Sequence, residues 1–221
     1  MVNEKTTETG WRGSRDLWLT AAYESLIDSG VDAVRIQAIG KKLGLARTSF
    51  YWFFPDRQAL LDALLELWRE KNIGNLIKQT SAYASNIAEA ILNLFDCWLD
   101  RTLFDSQFEF AVRSWALQSA RVGAEIEKAD NARLAAITTM FERFGYSPIE
   151  SDVRARTIYL TQIGYISMNT REDLAIRIKR IPYYVEIFTG IPVASPEVAR
   201  FNARHSLPAA VRRGRKRKEA A

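Results

Sequence analysis

The sequence predicts an all-α protein. Three observations carry this. Apolar residues recur at spacings of three and four along most of the chain, no stretch alternates apolar and polar residues over the length of a strand, and no hairpin turn is flanked by alternation. Hydrophobic residues make up 48% of the 221 and charged residues 26%, a balance that supports a packed core rather than disorder.

Taken in order, Trp18, Leu19, Ala22, Tyr23 and Leu26 form a first helical stripe, closed by Gly30 as a C-cap. Ile36, Ile39 and Leu43 form a second, shorter stripe closed by Gly44. A third segment starts near Ala46 and carries five consecutive aromatics, Phe50 to Phe54, before Pro55 stops it. Asp56 is a good N-cap for a fourth helix that buries Leu60, Leu61, Leu64, Leu65 and Trp68. The stripe weakens around Gly74, which places a soft boundary there with a long helix crossing it. Longer helices follow: one with Ile87, Ile91, Leu94, Phe95 and Trp98, one with Phe108, Val112 and Trp115, and one with Ile126, Leu134, Ile137, Phe141 and Phe144. Two more run from about Ile149 to Met168 and from about Arg171 to Phe188, where Pro182 is expected to kink the helix. "TGIPVASPE" then reads as the end of the fold. The expected domains are residues 1–72, 73–200 and a basic tail at 201–221.

Composition narrows the function. No run of about 18 apolar residues marks a membrane span, the N-terminus lacks the order of a secretory signal, and the lone Cys97 cannot form an internal disulfide. A cytoplasmic protein with no membrane partner is expected. The only histidine is His205 and no phosphate-cradling glycine loop is present, so no enzyme, cofactor or metal site is expected. The net charge of +5 belongs to the stretch from Arg212 onward, which leaves residues 1–211 neutral overall. Any attraction to nucleic acid by the body must therefore be local. Between Ala33 and Pro55 there is no acidic residue, yet Arg35, Lys41, Lys42 and Arg47 fall there.

Two short helices joined at "LGLA" form a helix-turn-helix pattern. Consecutive residues of a helix cannot share one face, so the five aromatics must divide. Phe50 and Phe54 point inward, while Arg47, Thr48, Ser49, Tyr51 and Trp52 are left on the outer face or its flanks. An Arg can bond guanine edges, hydroxyls can bond bases or phosphates, and an aromatic ring can pack on a thymine methyl or a sugar. This composition suits a major-groove reader.

"AAYESLIDSG", "IQAIGKKLGLARTSFYWFF" and "PDRQALLDAL", between Leu17 and Trp68, resemble the TetR family of transcriptional repressors. The resemblance implies phosphate contacts for Tyr51 and Arg57, base readers at Arg47, Thr48 and Ser49, and a second-helix position, Gln37, able to reach a base. The family's hydroxyl cap of the second helix is Arg35 here, a cation that can meet phosphate instead. Its alanine after Ile39 is Gly40, and its small residue before Ser49 is Thr48.

The resemblance further implies an effector pocket and a dimer interface in the C-terminal helices. Trp98, Phe104, Phe108, Trp115, Phe141 and Tyr165 are the candidate pocket aromatics, with Arg113, Gln118 and Gln162 as polar candidates. The helix from Ile149 is apolar on two sides, so Val153, Thr157, Leu160, Gly164 and Met168 can meet a partner. Leu174, Ile178, Ile181, Val185 and Phe188 recur like a packing seam, and a four-helix bundle across a two-fold axis is expected. The expected protein is a homodimeric repressor of a palindromic double-stranded operator, released by an unknown small-molecule effector. The alternative is a helical scaffold whose basic tail meets nucleic acid or a membrane.

Overall fold

The computed structural model describes residues 13–205, which contain helices and connecting turns but no strand. The elements are α1 (Arg15–Ser29), a 3₁₀ turn (Val31–Ala33), α2 (Ile36–Leu43), α3 (Arg47–Phe50), α4 (Arg57–Trp68), a π-helical segment (Arg69–Gly74), α5 (Asn75–Ser81), α6 (Ile87–Leu99), α7 (Ser106–Ala116), α8 (Ala120–Arg143), α9 (Pro148–Ser167), α10 (Leu174–Thr189) and α11 (Ser195–His205). Most starts are set locally. Ser14, Asp56, Asn86, Asp105, Ser119, Ser147 and Asp173 each accept a first-turn backbone N–H with the side chain.

Two apolar cores divide the chain, and they do not divide it at residue 72. The first joins Trp18, Ile39, Phe50, Leu64 and Trp68 of the N-terminal helices to Phe108, Val112 and Trp115 of α7 and to Val122, Ile126 and Ala129 of α8. The second joins α5, α6, the far half of α8, α9, α10 and α11. With 24 residues, α8 is about 36 Å long and passes through both. α7 thus belongs to the core of the N-terminal head, although it lies more than thirty residues beyond the expected boundary.

The path from α4 to α5 stays helical across that boundary. Its π-helical segment carries the fully buried Asn72, whose amide donates to the Asp105 carbonyl at 3.1 Å and to Glu109 Oε2 at 3.0 Å. Asn72 Oδ1 accepts the Asp105 N–H at 2.9 Å. Widening the helix by one residue brings this side chain against the α6–α7 loop and ties the two cores together.

The chain beyond α10 also differs from expectation. Residues 195–205 form α11 rather than the start of a tail: Phe201 is buried in the second core, and His205 Nε2 lies 2.6 Å from Asp96 Oδ1 on α6. The basic run from Arg212 lies outside the described residues. α10 continues through Pro182, which has no N–H to offer the Ile178 carbonyl.

Gly44 closes α2 at φ 66°, ψ 26°, where the Leu45 N–H bonds the Gly40 carbonyl at 2.9 Å and the Gly44 N–H bonds Lys41 at 3.3 Å. A Cβ at Gly44 would meet nothing within 4 Å, so the left-handed backbone is the whole penalty for a side chain there. Gly44→Ala is expected to cost about 1–2 kcal/mol and to lower the melting temperature by roughly 2–8 °C, with Gly44→Asn costing less. Calorimetry of the two variants checks this; equal loss from both would remove the backbone explanation.

Candidate nucleic-acid interface

The exposed part of the head is small and built on a buried aromatic base. Phe50 is fully buried and packs edge-on against Trp18 of α1, with ring centroids 5.2 Å apart. Phe54 stacks beneath it at 5.5 Å. Gly40 makes room for this arrangement, because a Cβ there would lie 3.1 Å from the Leu45 carbonyl oxygen and 3.4 Å from the Trp18 ring. The departure at Gly40 thus has a packing reason: α2 crosses close over the indole.

α3 is shorter than the segment expected between Ala46 and Pro55. It covers Arg47–Phe50, and Tyr51 to Phe53 continue as turns. Arg47, Thr48, Tyr51 and Trp52 are exposed, as are Arg35 and Gln37 at the start of α2. Arg47 and Tyr51 act as a pair. The guanidinium donates to the Tyr51 hydroxyl through Nη2 at 2.8 Å and Nε at 3.2 Å and lies 5.6 Å from the ring centroid.

Two of the expected contacts are placed differently. Ser49 is 6% exposed, and its hydroxyl donates to the Ala46 carbonyl at 2.7 Å, so it secures the turn into α3 and is not on the outer face. The helical step of about 100° per residue carries Ser49 and Phe50 inward together once Arg47 and Thr48 face out. Arg57 is directed at the fold: Nε donates to the Val34 carbonyl at 2.6 Å and Nη2 to Val31 at 2.7 Å. It clamps the segment entering α2 to α4, adding a second bond to the Val31 carbonyl, which already accepts the Val34 N–H at 3.1 Å. Arg35 donates to the Asp32 carbonyl at 2.8 Å and does not cap α2 with its side chain.

Residues 19–64 match the model of bacterial regulatory proteins, tetR family. Over these residues the chain is similar to the TetR family. Over 53 residues the chain is 36% identical to the class D tetracycline repressor of Escherichia coli and equally to the class H tetracycline repressor of Photobacterium damsela subsp. piscicida, in each case 24% of both chains. The match therefore spans about a quarter of the length of these curated relatives. For the remainder, likeness is one of fold. A TetR-family transcriptional regulator of Mesorhizobium loti MAFF303099 superimposes on 86% of this chain and 95% of its own with a TM-score of 0.54 at 14% identity. A transcriptional regulator from Rhodococcus sp. Rha1 covers 89% and 100% with a TM-score of 0.56, also at 14% identity. No helix among the described residues is long and apolar enough to cross a membrane.

Behind the TetR-type head, the expected pocket aromatics separate. Phe108 and Trp115 belong to the head's core, and Phe104 and Phe141 are closed within the second core. Only Trp98 and Tyr165 line a cleft. It lies between α6, α9 and α10, where Phe95, Ile158, Ile181 and Phe188 add apolar walls and Gln162, Arg177 and Tyr184 add polar ones. Arg177 was not among the expected residues; its one signal in the sequence is a cation between Leu174 and Ile178 on the otherwise apolar side of α10. Of the polar candidates, Gln162 lines the cleft and Gln118 is exposed, while Arg113 belongs to a buried ionic network.

That network sits where α7, α8, α9 and the π-helical segment meet. Glu109 and Arg133 are both fully buried and pair twice, at 2.8 and 2.9 Å. Trp68 Nε1 and the Asn72 amide donate to Glu109 Oε2, and Arg113 to Oε1. Burial by itself would raise the Glu109 carboxyl, but the Arg133 and Arg113 guanidiniums and the Asn72 amide reverse this and hold it at about 2. Arg113 also meets Asp130 at 2.5 Å, and Tyr159 of α9 donates to Asp130 at 2.6 Å.

The two expected dimer stripes also separate. On α9, Val153, Thr157, Leu160 and Met168 are exposed, Leu160 by 59%, and Ile149 extends the stripe. On α10, Ile181, Val185 and Phe188 are buried in the protomer's own core, a correction to the expected seam. The outward face of α10 carries Ile176, Tyr183 and Ile187 instead. A groove lined by Ile149, Val153, Thr157 and Ile187 joins the two exposed stripes.

Proposed function

We propose that this protein is a homodimeric, cytoplasmic DNA-binding transcriptional regulator that represses from a palindromic operator and is released by a small organic effector. One observation carries the reading: an exposed group of Arg47, Thr48, Tyr51 and Trp52 stands on a very short helix held by buried Phe50 and Phe54, in a domain similar to the TetR family. Exposed aromatic rings beside a guanidinium and a hydroxyl cost solubility unless a partner covers them, and a groove of DNA offers phosphates, base edges and methyl groups to all four. Gln37 and Arg35 extend the same surface from α2. The curated relatives are tetracycline repressors. The exposed stripes of α9 and α10 would pair two copies, as a palindrome requires.

Selection of bound fragments from a random duplex pool tests the function and its symmetry together. A palindromic consensus is expected; enrichment of no sequence, or of an asymmetric one, would reject it. Because Arg47 and Tyr51 are bonded to each other, their losses should not add. Arg47→Ala is expected to cost about 1–3 kcal/mol at the selected site. Tyr51→Phe is expected to cost less, and the double variant little more than Arg47→Ala alone. Additive losses across the cycle would mean that the two side chains separate on DNA.

A further inference from the structure

We propose that the cleft between α6, α9 and α10 takes a flat aromatic carboxylate, with its ring among Phe95, Trp98, Ile181 and Phe188 and its carboxylate on Arg177. This deepens the effector reading above and rests on it for the ligand's regulatory role. One donor in the cleft lacks an acceptor among the described residues, and a second lacks a charged one. Trp98 is 6% exposed, and no described residue accepts from its Nε1. Arg177 is half-buried, donates to Gln162 Oε1 at 2.9 Å and lies 5.4 Å from the Tyr165 ring centroid, but has no carboxylate partner among the described residues. Glu172 acts on it only through space: its Oε1 is held by Arg180, and its buried Oε2 has no hydrogen-bond partner among the described residues. A half-buried guanidinium bonded to one neutral amide leaves its fork open to a carboxylate.

The walls decide the body of the ligand. Phe188 lies nearly parallel to both Phe95 and Tyr184, with centroids 6.5 and 5.6 Å away, while Phe95 and Tyr184 are tilted by 34° at 6.4 Å. The rings nearly close the cleft, leaving about 20 Å³, room for a single water. A planar ring can enter by parting this stack and restoring the same kind of contact on each of its faces, which a branched aliphatic body cannot do. Gln162, Tyr165 and Arg177 also border a wider groove of about 700 Å³ that reaches Ser106 and Gln107 of α7 and Ile27 and Asp28 of α1. Arg177 therefore stands where a tight apolar space meets a wide polar one, the position an anionic head needs. The groove ends on the DNA-reading head, so an occupant bears on α1 and α9 together.

Titration calorimetry on the full chain, with phenylacetate against 2-phenylethanol, tests the assignment. The two probes share a ring and differ in charge. Phenylacetate is expected to bind at least about tenfold more tightly than the alcohol, about 1.4 kcal/mol. Arg177→Met should bring the two within about twofold of each other, with the retained alcohol affinity showing that the cleft is intact. Should that variant lose both ligands, Arg177→Lys decides: a surviving preference for phenylacetate supports the charge pairing, and its absence overturns it. Equal binding of the two probes to the wild type, no binding of either, or a preference unchanged in Arg177→Met also overturns the proposal. Fragment selection without ligand is scored separately. A palindrome with no carboxylate binding sinks the cleft assignment alone, and Arg177-dependent carboxylate binding with no palindrome sinks the regulator reading alone.

Discussion

Arg133→Met is expected to destabilise the chain by about 3–5 kcal/mol, lowering the melting temperature by roughly 10 °C. The reason is what it leaves behind. Glu109 is fully buried and keeps donors from Trp68, Asn72 and Arg113, but loses the two bonds from the guanidinium that shares its burial. An ionised carboxylate in such a site is costly once its main counter-charge is gone. Replacing both members, Glu109→Leu with Arg133→Met, should recover much of the loss, since neither charge is then stranded. The network also sets a pH limit. The Glu109 carboxyl has a folded pKa below its unfolded value of 4.5, so its contribution is complete above pH 4.5 and is lost as pH falls toward 2. Stability curves at pH 7 and across that acid window, for wild type and Glu109→Gln, measure it. A melting temperature unchanged in Arg133→Met would show that the pair does not join the two cores.

Leu160→Glu is expected to leave the protomer folded and to abolish the dimer, with affinity for a palindromic site falling by about a hundredfold or more because one half-site offers too few contacts. Leu160 is 59% exposed, so a carboxylate there costs the single chain almost nothing, but it would be stranded in an apolar interface between copies. Ile181→Glu is predicted to behave differently. Ile181 is fully buried among α6, α9 and α10, so the charge breaks the protomer itself. Light scattering after size exclusion, with circular dichroism on the same fractions, separates the two outcomes. A Leu160→Glu protein that remains dimeric would move the interface off α9.

Much of the head was readable because its signals are local. Gly30 and Gly44 end helices by backbone conformation, Asp56 starts one with its own carboxylate, and Phe50 and Phe54 share a face because of helical geometry. Each depends on neighbours within a few residues. Ser49 and Arg57 were harder. Their chemistry suits DNA equally well, and only the placement of carbonyls from Ala46, Val31 and Val34 directs them inward. The cleft was legible only through Trp98, Tyr165 and Gln162, since Phe104, Phe108, Trp115 and Phe141 are apolar for the same reason any core residue is.

By itself the sequence determined most of the helices before α11 and many of their buried faces, the helix-turn-helix and the separation of charge between a neutral body and a basic end. Tertiary structure alone decided what each buried face meets: α7 against the head rather than a pocket, the Ile181 seam against its own core rather than a partner, and α11 against α6. It also decided that Glu109 and Arg133, ordinary charged residues in sequence, form a buried pair between the cores. The physical reason is that periodicity is a property of one helix, fixed by 3.6 residues per turn, and reports that a face leaves water. Which surface replaces the water depends on how whole helices pack, and no local signal carries that information.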